Sequence, residues 1–569
     1  NPEVLKGLNC LNDKLAEEIA KTWNADKNKN ELYAYLIKFR NAETGRSIFN
    51  KRQIQNMIET YGLSIKEVIK QNPWSLIKMV SNLGFQTADA IARASGADMN
   101  SPDRLNAAIA FSMKKIEKDK GHCYAKIDDL VFAVNKHTGI DQDAVRTHLE
   151  LESDETKKDL ENADDEWYIV ENSRVYRTEV YKAELKIVNK ITRMLERGPR
   201  CTKEFAENLV NKVAKTEGLT LDKSQHDAAV TSLLYPVVVM TGGPGVGKST
   251  IQKIIMNCLI EMNKTFSASC PTGKGARRQE EASGFPATTV HRQLEYSPEE
   301  EGFRKNAENP IDADAIIVDE ASMEDILIAS KQIEAVKDNA QIIYVGDVNQ
   351  IPSVEAGQFL KDMIMSGLVP VCVLSKTHRQ ANESGIPLVA QRILEGEYPV
   401  QAGEKLRGVN IIEIGNDENL SERTAQYIKY ELPKMGLSPD KDLMVLAPTK
   451  ESQDGVFNLN SLIKHSINNH NDKETHPYPG DKIFTTRDVV MQMKNDKDLK
   501  VNNGESGRIV GFQTVIVEKD VRGKSVKLKE ELPVVDFDGR RVVYTIDALE
   551  NLVPANAGTY HKAQGSEQV

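Results

Sequence analysis

The chain has 569 residues, 40% of them hydrophobic and 28% charged, with a net charge of −10 from 74 basic and 84 acidic side chains. That length exceeds what one core can serve and predicts several domains, while no apolar run approaches the roughly 20 residues of a bilayer-spanning helix. A basic balance that would announce nucleic acid is absent, but nine acidic and two basic residues crowd positions 150–166. Such a run reads as a solvated face, and a basic groove can coexist with it elsewhere. Six cysteines (Cys10, Cys123, Cys201, Cys258, Cys270 and Cys372) stand apart without a C-x-x-C pair. They argue against a zinc site or a disulfide framework and for a reducing cytoplasm.

In chain order, residues 1–118 read as helical, with apolar residues at helical spacing in KRQIQNMIETYGLSIKEVIKQ. NPWSLIKMVSNLGFQTADAIARASG (72–96) predicts two short helices about a tight turn at Leu83-Gly84-Phe85. Residues 119–180 pass from helices to a hairpin around Glu171-Asn172, a winged-helix-like pattern, and 181–218 reads as a linker helix region. From 219 onward, PVVVM, AIIVD, QIIYVG and LMVLAP are continuous apolar runs between helices, the pattern of parallel strands buried on both faces. The prediction is a multidomain α/β protein with a doubly wound core. Residues 481–547 are hairpin-rich and predict a small β-barrel insertion.

TGGPGVGKST (241–250) matches the phosphate-binding loop G-x-x-x-x-G-K-[ST], placed after a strand and before a helix. Gly243, Gly245, Val246, Gly247, Lys248, Ser249 and Thr250 should wrap the phosphates of ATP, with Lys248 on the β- and γ-phosphates and Ser249 on Mg²⁺. AIIVDEASM delivers Asp319 to the metal and Glu320 to the attacking water as general base. VGDVNQIPS places Gln350 where an amide could sense the γ-phosphate.

The order P-loop, DEAS, GDxxQxPS resembles a superfamily 1 helicase, and more closely the RecD-like branch with a long N-terminal extension. The resemblance implies two RecA-like motor domains, 219–375 and 376–480 plus 548–569, with an SH3-like barrel at 481–547 and a helix-hairpin-helix-like pair in the N-terminal region. It implies that Gln225 in LDKSQHDAAV meets the adenine and that Arg379 in LSKTHRQ acts as an arginine finger. By the same resemblance, Pro271, Thr272, Gly273, Lys274 and Arg278 in ASCPTGKGARR grip single-stranded DNA, followed by Thr289 and His291 in ATTVHRQL. TYHKAQGSEQ resembles the segment joining DNA grip to ATP state, with His561, Lys562 and Gln564 on DNA and Glu567 on ATP. The segment 295–310 is predicted to be a wedge hairpin.

Asn82 stands where a helix-hairpin-helix carries its first glycine, which favours a scaffold role over DNA grip there. The chain begins at Asn1 and stops at Val569, before the family's last motif, so a longer protein is expected. The implied protein is a monomeric cytoplasmic motor that uses ATP and Mg²⁺ and moves 5′→3′ on single-stranded DNA. It would unwind duplex at single-strand/duplex junctions, alongside single-strand-binding or repair proteins. No membrane association is expected. The rivals are another P-loop enzyme, such as a nucleotide kinase, and a nucleic-acid-binding subunit with a weakened ATPase. GDxxQxPS and HKAQGSE oppose the first, and the intact Lys248, Asp319, Glu320 and Arg379 oppose the second.

Overall fold

The computed structural model describes residues 29–564 apart from 41–44, 46, 81–82, 156–165, 298–301, 375–383, 402, 416, 439–442, 468–474, 479–481, 497, 502, 522–523 and 538. Asn82, Arg379 and Glu567 fall outside the described residues, as do the middle of the acidic run and the tip of the 295–310 segment.

Helix α1 (Lys51–Tyr61) starts at a reciprocal cap in which Asn50 and Gln53 bond each other's backbone, and α2 (Ser64–Gln71) follows it. The pair expected at 73–95 is unequal. Pro73 opens only a 3-10 turn (Pro73–Ser75), and one helical turn (Leu76–Met79) follows before Val80 takes an extended conformation. The second member is a full helix, α3 (Phe85–Ser95), closed by Gly96 in the left-handed conformation. Asp89 on α3 is buried and accepts from the Trp74 indole at 3.2 Å and Arg104 Nε at 2.7 Å, which ties the turn to the start of α4 (Pro102–Lys120). Strand β1 (Tyr124–Lys126), helices α5 (Ile127–Thr138) and α6 (Gln142–Glu155), and strands β2 (Tyr168–Glu171) and β3 (Arg174–Arg177) come next. The strands form an antiparallel sheet in the order β1-β3-β2. Asn172 and Ser173 both have positive φ (49° and 61°), as a two-residue hairpin turn requires.

The region expected to be a linker is part of the motor. Helices α7 (Thr178–Leu195) and α8 (Lys203–Thr216) carry apolar stripes that pack on opposite faces of one sheet. Val180, Ala183, Ile187 and Ile191 join Val237, Ile316 and Ile342 on one face, while Ala206, Leu209 and Val210 join Met240, Ile317 and Ile343 on the other. Burial of these stripes is the reason the helices dock instead of bridging through solvent. The Lys190 ammonium on α7, itself buried, donates to the Val336 carbonyl at 2.6 Å and fixes the register.

That sheet is built between α9 (Lys223–Leu234), β4 (Val237–Gly242), α10 (Lys248–Glu261), β5 (Phe266–Cys270), α11 (Gly273–Ser283) and β6 (Ala287–Thr289). A small antiparallel pair, β7 (Tyr296–Ser297) and β8 (Gly302–Phe303), stands outside it. Strands β9 (Ala315–Val318), β10 (Gln341–Gly346) and β11 (Val371–Leu374), with α12 (Ile326–Glu334), complete it. The order is β11-β4-β10-β9-β5-β6 with parallel neighbours throughout. Three of the four apolar runs read from the sequence are therefore β4, β9 and β10 at its centre, while LMVLAP lies outside this sheet and is only partly buried.

The second motor region holds α13 (Leu420–Tyr430), β12 (Val445–Ala447) and α14 (Val456–Ile467). The chain then leaves for an insertion of β13 (Val489–Gln492), β14 (Ser506–Val521), β15 (Lys524–Phe537), β16 (Arg540–Val543) and β17 (Leu552–Pro554). These form an antiparallel sheet in the order β16-β15-β14-β13-β17 around Val490, Ile509, Val535 and Tyr544. The chain returns as β18 (Ala557–Thr559), parallel to β12, and the buried Asn460 amide bonds both backbone groups of Ala557 (3.0 and 2.8 Å).

One loop, 347–358, joins three regions. Its Ile351 carbonyl accepts from Gln564 Nε2 at 3.0 Å, and its Gly357 N–H donates to the Gly121 carbonyl of the N-terminal region at 3.0 Å. Gly357 has φ +99°, and a Cβ there would sit 3.0 Å from Ile326 Cβ and 3.2 Å from Cys123 Sγ. Gly357→Ala is expected to lower stability by about 1–3 kcal/mol through backbone strain, read as a fall in the melting midpoint; an unchanged midpoint would refute this account of the joint.

Candidate active site

The site forms where β4, β9 and β10 end side by side. β4 runs into the phosphate loop, in which Gly245 (φ 75°) and Gly247 (φ 93°) take left-handed conformations that turn successive amides inward. Lys248 begins α10, and its ammonium donates to the carbonyls of Gly242 (2.6 Å) and Gly243 (3.1 Å), which hold it over the loop. A phosphate oxygen is a stronger acceptor than either carbonyl. Ser249 is exposed beside it, and Gly243, Val246 and Thr250 complete the loop and the first helical turn.

Gln225 lies beneath this loop. Its buried amide donates to the Val246 carbonyl at 3.1 Å and accepts from the Asp222 N–H at 3.2 Å in a capping box. Its nitrogen sits 2.5 Å from where a Gly247 Cβ would be, so Gly247 is held bare by packing as well as by φ. The amide expected to meet adenine therefore braces the phosphate loop in this structure.

Asp319 follows β9, and its N–H donates to the Ser269 carbonyl at 2.8 Å. Burial raises its proton affinity, opposed by an amide contact from Gln252, the Glu320 N–H and the charge of Lys248. Glu320 is a non-glycine residue at φ 53°, a strained conformation that directs its side chain out of the strand line. Burial and the neighbouring Asp319 raise its pKa, Lys248 and Arg278 pull it down, and its Oε2 has no hydrogen-bond partner. A strained carboxylate with raised basicity and a spare oxygen suits proton abstraction from water. Gln350, partly buried, follows the buried Asp347, whose carbonyl accepts the Gln350 N–H at 3.1 Å.

The residues expected to touch DNA divide into two groups. Thr272 caps α11 through the Gly275 N–H (3.0 Å), between Pro271 and Gly273, and Arg278 faces Glu320. Thr289 caps the turn that carries His291. The His291 ring is exposed and packs on Tyr296 (5.9 Å) and Phe303 (5.6 Å), so it braces the root of the β7–β8 hairpin. Lys274, by contrast, lines a cleft of about 490 Å³ shared with Lys562, Arg508 and Asp536. The Lys562 ammonium donates to Asn503 at 2.9 Å, and its pKa is lowered by burial and then by the charges of Lys450 and Lys274. His561 is exposed beside it, and Gln564 reaches Ile351 rather than the cleft. Sequence reasoning missed Arg508, Lys450 and Gln252, because only the fold brings these to the site.

Two family models match, an AAA domain at residues 225–356 and the HHH domain of ATP-dependent RecD2 DNA helicases at residues 45–124. The ATP-dependent RecD2 DNA helicase of Deinococcus radiodurans is 30% identical over 526 residues, covering 90% of this chain and 67% of that protein. The chain belongs to the RecD2-like helicases. It is thus an ATP-hydrolysing DNA helicase of superfamily 1 with RecA-like motor domains and a helical N-terminal HHH domain. The RecBCD enzyme subunit RecD of Buchnera aphidicola is 24% identical, covering 69% of this chain and 74% of that subunit. Among solved structures, Pif1 helicase from Candida albicans aligns with TM-score 0.37 and 17% identity over 62% of this chain and 88% of its own. Among the described residues, no helix is long and apolar enough to cross a membrane.

Two residues after the DEAS segment of this RecD2-like chain, Glu324 is almost wholly buried, and neither carboxylate oxygen has a hydrogen-bond partner. Burial and the adjacent Asp325 push it up from 4.5 to about 8. The folded chain thus holds this proton more tightly than the unfolded chain does. The resulting stabilisation is fully present below about pH 4.5 and is lost as pH rises through about 8. Glu324→Gln should remove that term, so its melting temperature falls less than wild type's across this window; parallel curves would contradict the assignment.

Proposed function

We propose that the chain moves 5′→3′ along single-stranded DNA, splits the duplex ahead of it, and serves DNA repair or recombination. The observation that carries the reading is the lysine cluster. Lys274 of the first motor region lies near Lys450 and Lys562 of the second, close enough that their like charge adds to burial in lowering the Lys562 pKa. Such repulsion is relieved by a polyanion lying across both regions. Arg508 lines the cleft together with Lys274 and Lys562. Polarity rests on the family resemblance, and the repair or recombination role on that resemblance and on relatives named as subunits of RecBCD.

ATP would lie on the phosphate loop, with Lys248, Gly243, Gly245, Val246, Gly247, Ser249 and Thr250 on its phosphates and Gln225 supporting the loop. Among the described residues, no group of three or more His, Cys, Asp or Glu could hold a metal by itself. That suits Mg²⁺, which keeps waters and shares substrate phosphates with one or two protein ligands, here Ser249 and Asp319. Bound there, it would neutralise phosphate charge. Glu320 takes the proton of the attacking water, Gln350 senses the γ-phosphate, and Arg379 and Glu567 act from the second motor region. Closing and reopening of the cleft between the motors then alternates their grips, through Pro271, Thr272, Gly273, Lys274 and Arg278 on one side and His561 and Lys562 on the other, while Gln564 ties the second motor region to the Ile351 loop.

The β7–β8 hairpin, rooted on His291 and Thr289, is the wedge. Its aromatic base (Tyr296 to Phe303, 5.2 Å) gives it the stiffness to split a base pair. The five-stranded insertion is read as an SH3-like barrel beside the strand path, and β1 to β3 with α5 and α6 as a winged-helix-like unit. The partners are single-stranded DNA, single-strand/duplex junctions and single-strand-binding or repair proteins. The motor works as a monomer in the cytoplasm.

ATP turnover measured with and without single-stranded DNA should rise strongly with DNA and vanish in Lys248→Ala. Turnover indifferent to DNA would sink the reading, and DNA binding without turnover would favour a binding subunit with a weakened ATPase. Lys562→Ala should weaken single-strand binding and flatten the slope of log affinity against log salt by about 0.7, one phosphate contact's worth. An unchanged slope would remove Lys562 from the strand path.

A further inference from the structure

Helix α11 carries an expected DNA grip at its start and reaches the ATP site from its middle. Gly275 in its first turn is seated on Cys270 so closely that any Cβ would collide with the thiol, and Thr272 Oγ1 caps the Gly275 N–H at 3.0 Å. Cys270 ends β5, and the preceding Ser269 carbonyl accepts the Asp319 N–H at 2.8 Å. The helix start and the Asp319 backbone are thus one packed unit, with no slack between them.

One turn further on, Gln279 is 3% exposed and donates its Nε2 to the Oε1 of Gln252, which is 1% exposed, at 2.9 Å. Gln252 lies four residues after Lys248, on the same face of α10. With its oxygen occupied by Gln279, its Nε2 is left without a hydrogen-bond partner, and the Gln252 amide favours the ionised form of the neighbouring Asp319. The neighbouring Arg278 acts likewise on Glu320. Gln279 Oε1 and Gln252 Nε2 are buried without partners, so the 2.9 Å bond is the polar tie between the two amides, and a shift of α11 must be followed by the Gln252 amide or leave two further buried polar atoms unpaired.

We propose that Gln279 and Gln252 are positioning residues that transmit strand binding at the start of α11 to the carboxylate of Asp319, so that DNA stimulates hydrolysis through this buried amide pair. The proposal rests on the reading of Asp319 as the metal carboxylate and of Thr272 to Lys274 as a DNA grip. When a strand draws on Lys274, α11 moves as a unit, the Gln279 amide carries Gln252 with it, and the Asp319 carboxylate turns toward the productive orientation. The requirement for Mg²⁺ then depends on whether DNA is bound.

The test uses the full chain and a single-stranded oligonucleotide, with turnover measured across Mg²⁺ concentrations and DNA affinity measured separately by anisotropy. In wild type, DNA should raise turnover and lower the Mg²⁺ concentration giving half-maximal rate. Gln279→Leu keeps the volume but removes the donor. It should reduce the ratio of DNA-stimulated to DNA-free turnover by about fivefold or more, the low end of ordinary coupling, and abolish the DNA-dependent Mg²⁺ shift, with DNA affinity within about twofold of wild type. Gln279→Glu keeps a polar partner but draws the Gln252 nitrogen away from Asp319, so it should lose the same ratio even if the leucine variant fails to fold. A folded Gln279 variant stimulated like wild type would overturn the proposal, as would a loss of stimulation that merely follows a loss of DNA affinity. If wild type itself is not stimulated by DNA, the helicase reading falls first, and this inference with it.

Discussion

Three parallel strands must end side by side before anything else in this motor can work. β4, β10 and β9 are buried on both faces, so their backbones bond to one another and to the flanking β11 and β5, and their carboxyl ends are fixed to within the tolerance of a packed core. From those ends project the phosphate loop, Asp347 with Gln350, and Asp319 with Glu320. The strained φ at Glu320 and the unpartnered carboxylate of Glu324 persist because the sheet around them is rigid enough to impose them.

The second organising feature is electrostatic. A chain of net charge −10 gathers Lys274, Lys450, Lys562 and Arg508 into one region. Bulk charge averages this away, because affinity for a phosphate backbone depends on local cations at the strand path. The motor regions meet the N-terminal domain at the loop 347–358, which Gln564 holds from one side and Gly121 from another. A change at Gln350 is therefore within one short loop of both neighbours.

The central strands, the phosphate loop and the DEAS carboxylates were legible in the sequence because each is a local pattern: a continuous apolar run, a glycine spacing, an acid at a strand end. What escaped was tertiary. The stripes on α7 and α8 announced burial but not against what, so helices that cover both faces of the motor sheet read as a linker. Pro73 permitted a helix start, yet only one turn follows it. Gln225 was placed on the base by resemblance, while its amide supports the loop beneath. Gln252 and Gln279 look like ordinary polar positions on amphipathic helices, and only the packing of α10 on α11 shows them paired and dry.

If both motor regions contribute cations to one strand path while ATP sits between them, nucleotide and DNA binding must be coupled, and by equal amounts in either direction. The most direct measurement is the affinity of the full chain for a labelled single strand without nucleotide, with a non-hydrolysable ATP analogue and with ADP, at one salt concentration. The account predicts three distinguishable affinities, with Lys562→Ala compressing the differences. One affinity in all three states would contradict it, because the grip would then be blind to the ATP cycle meant to drive it.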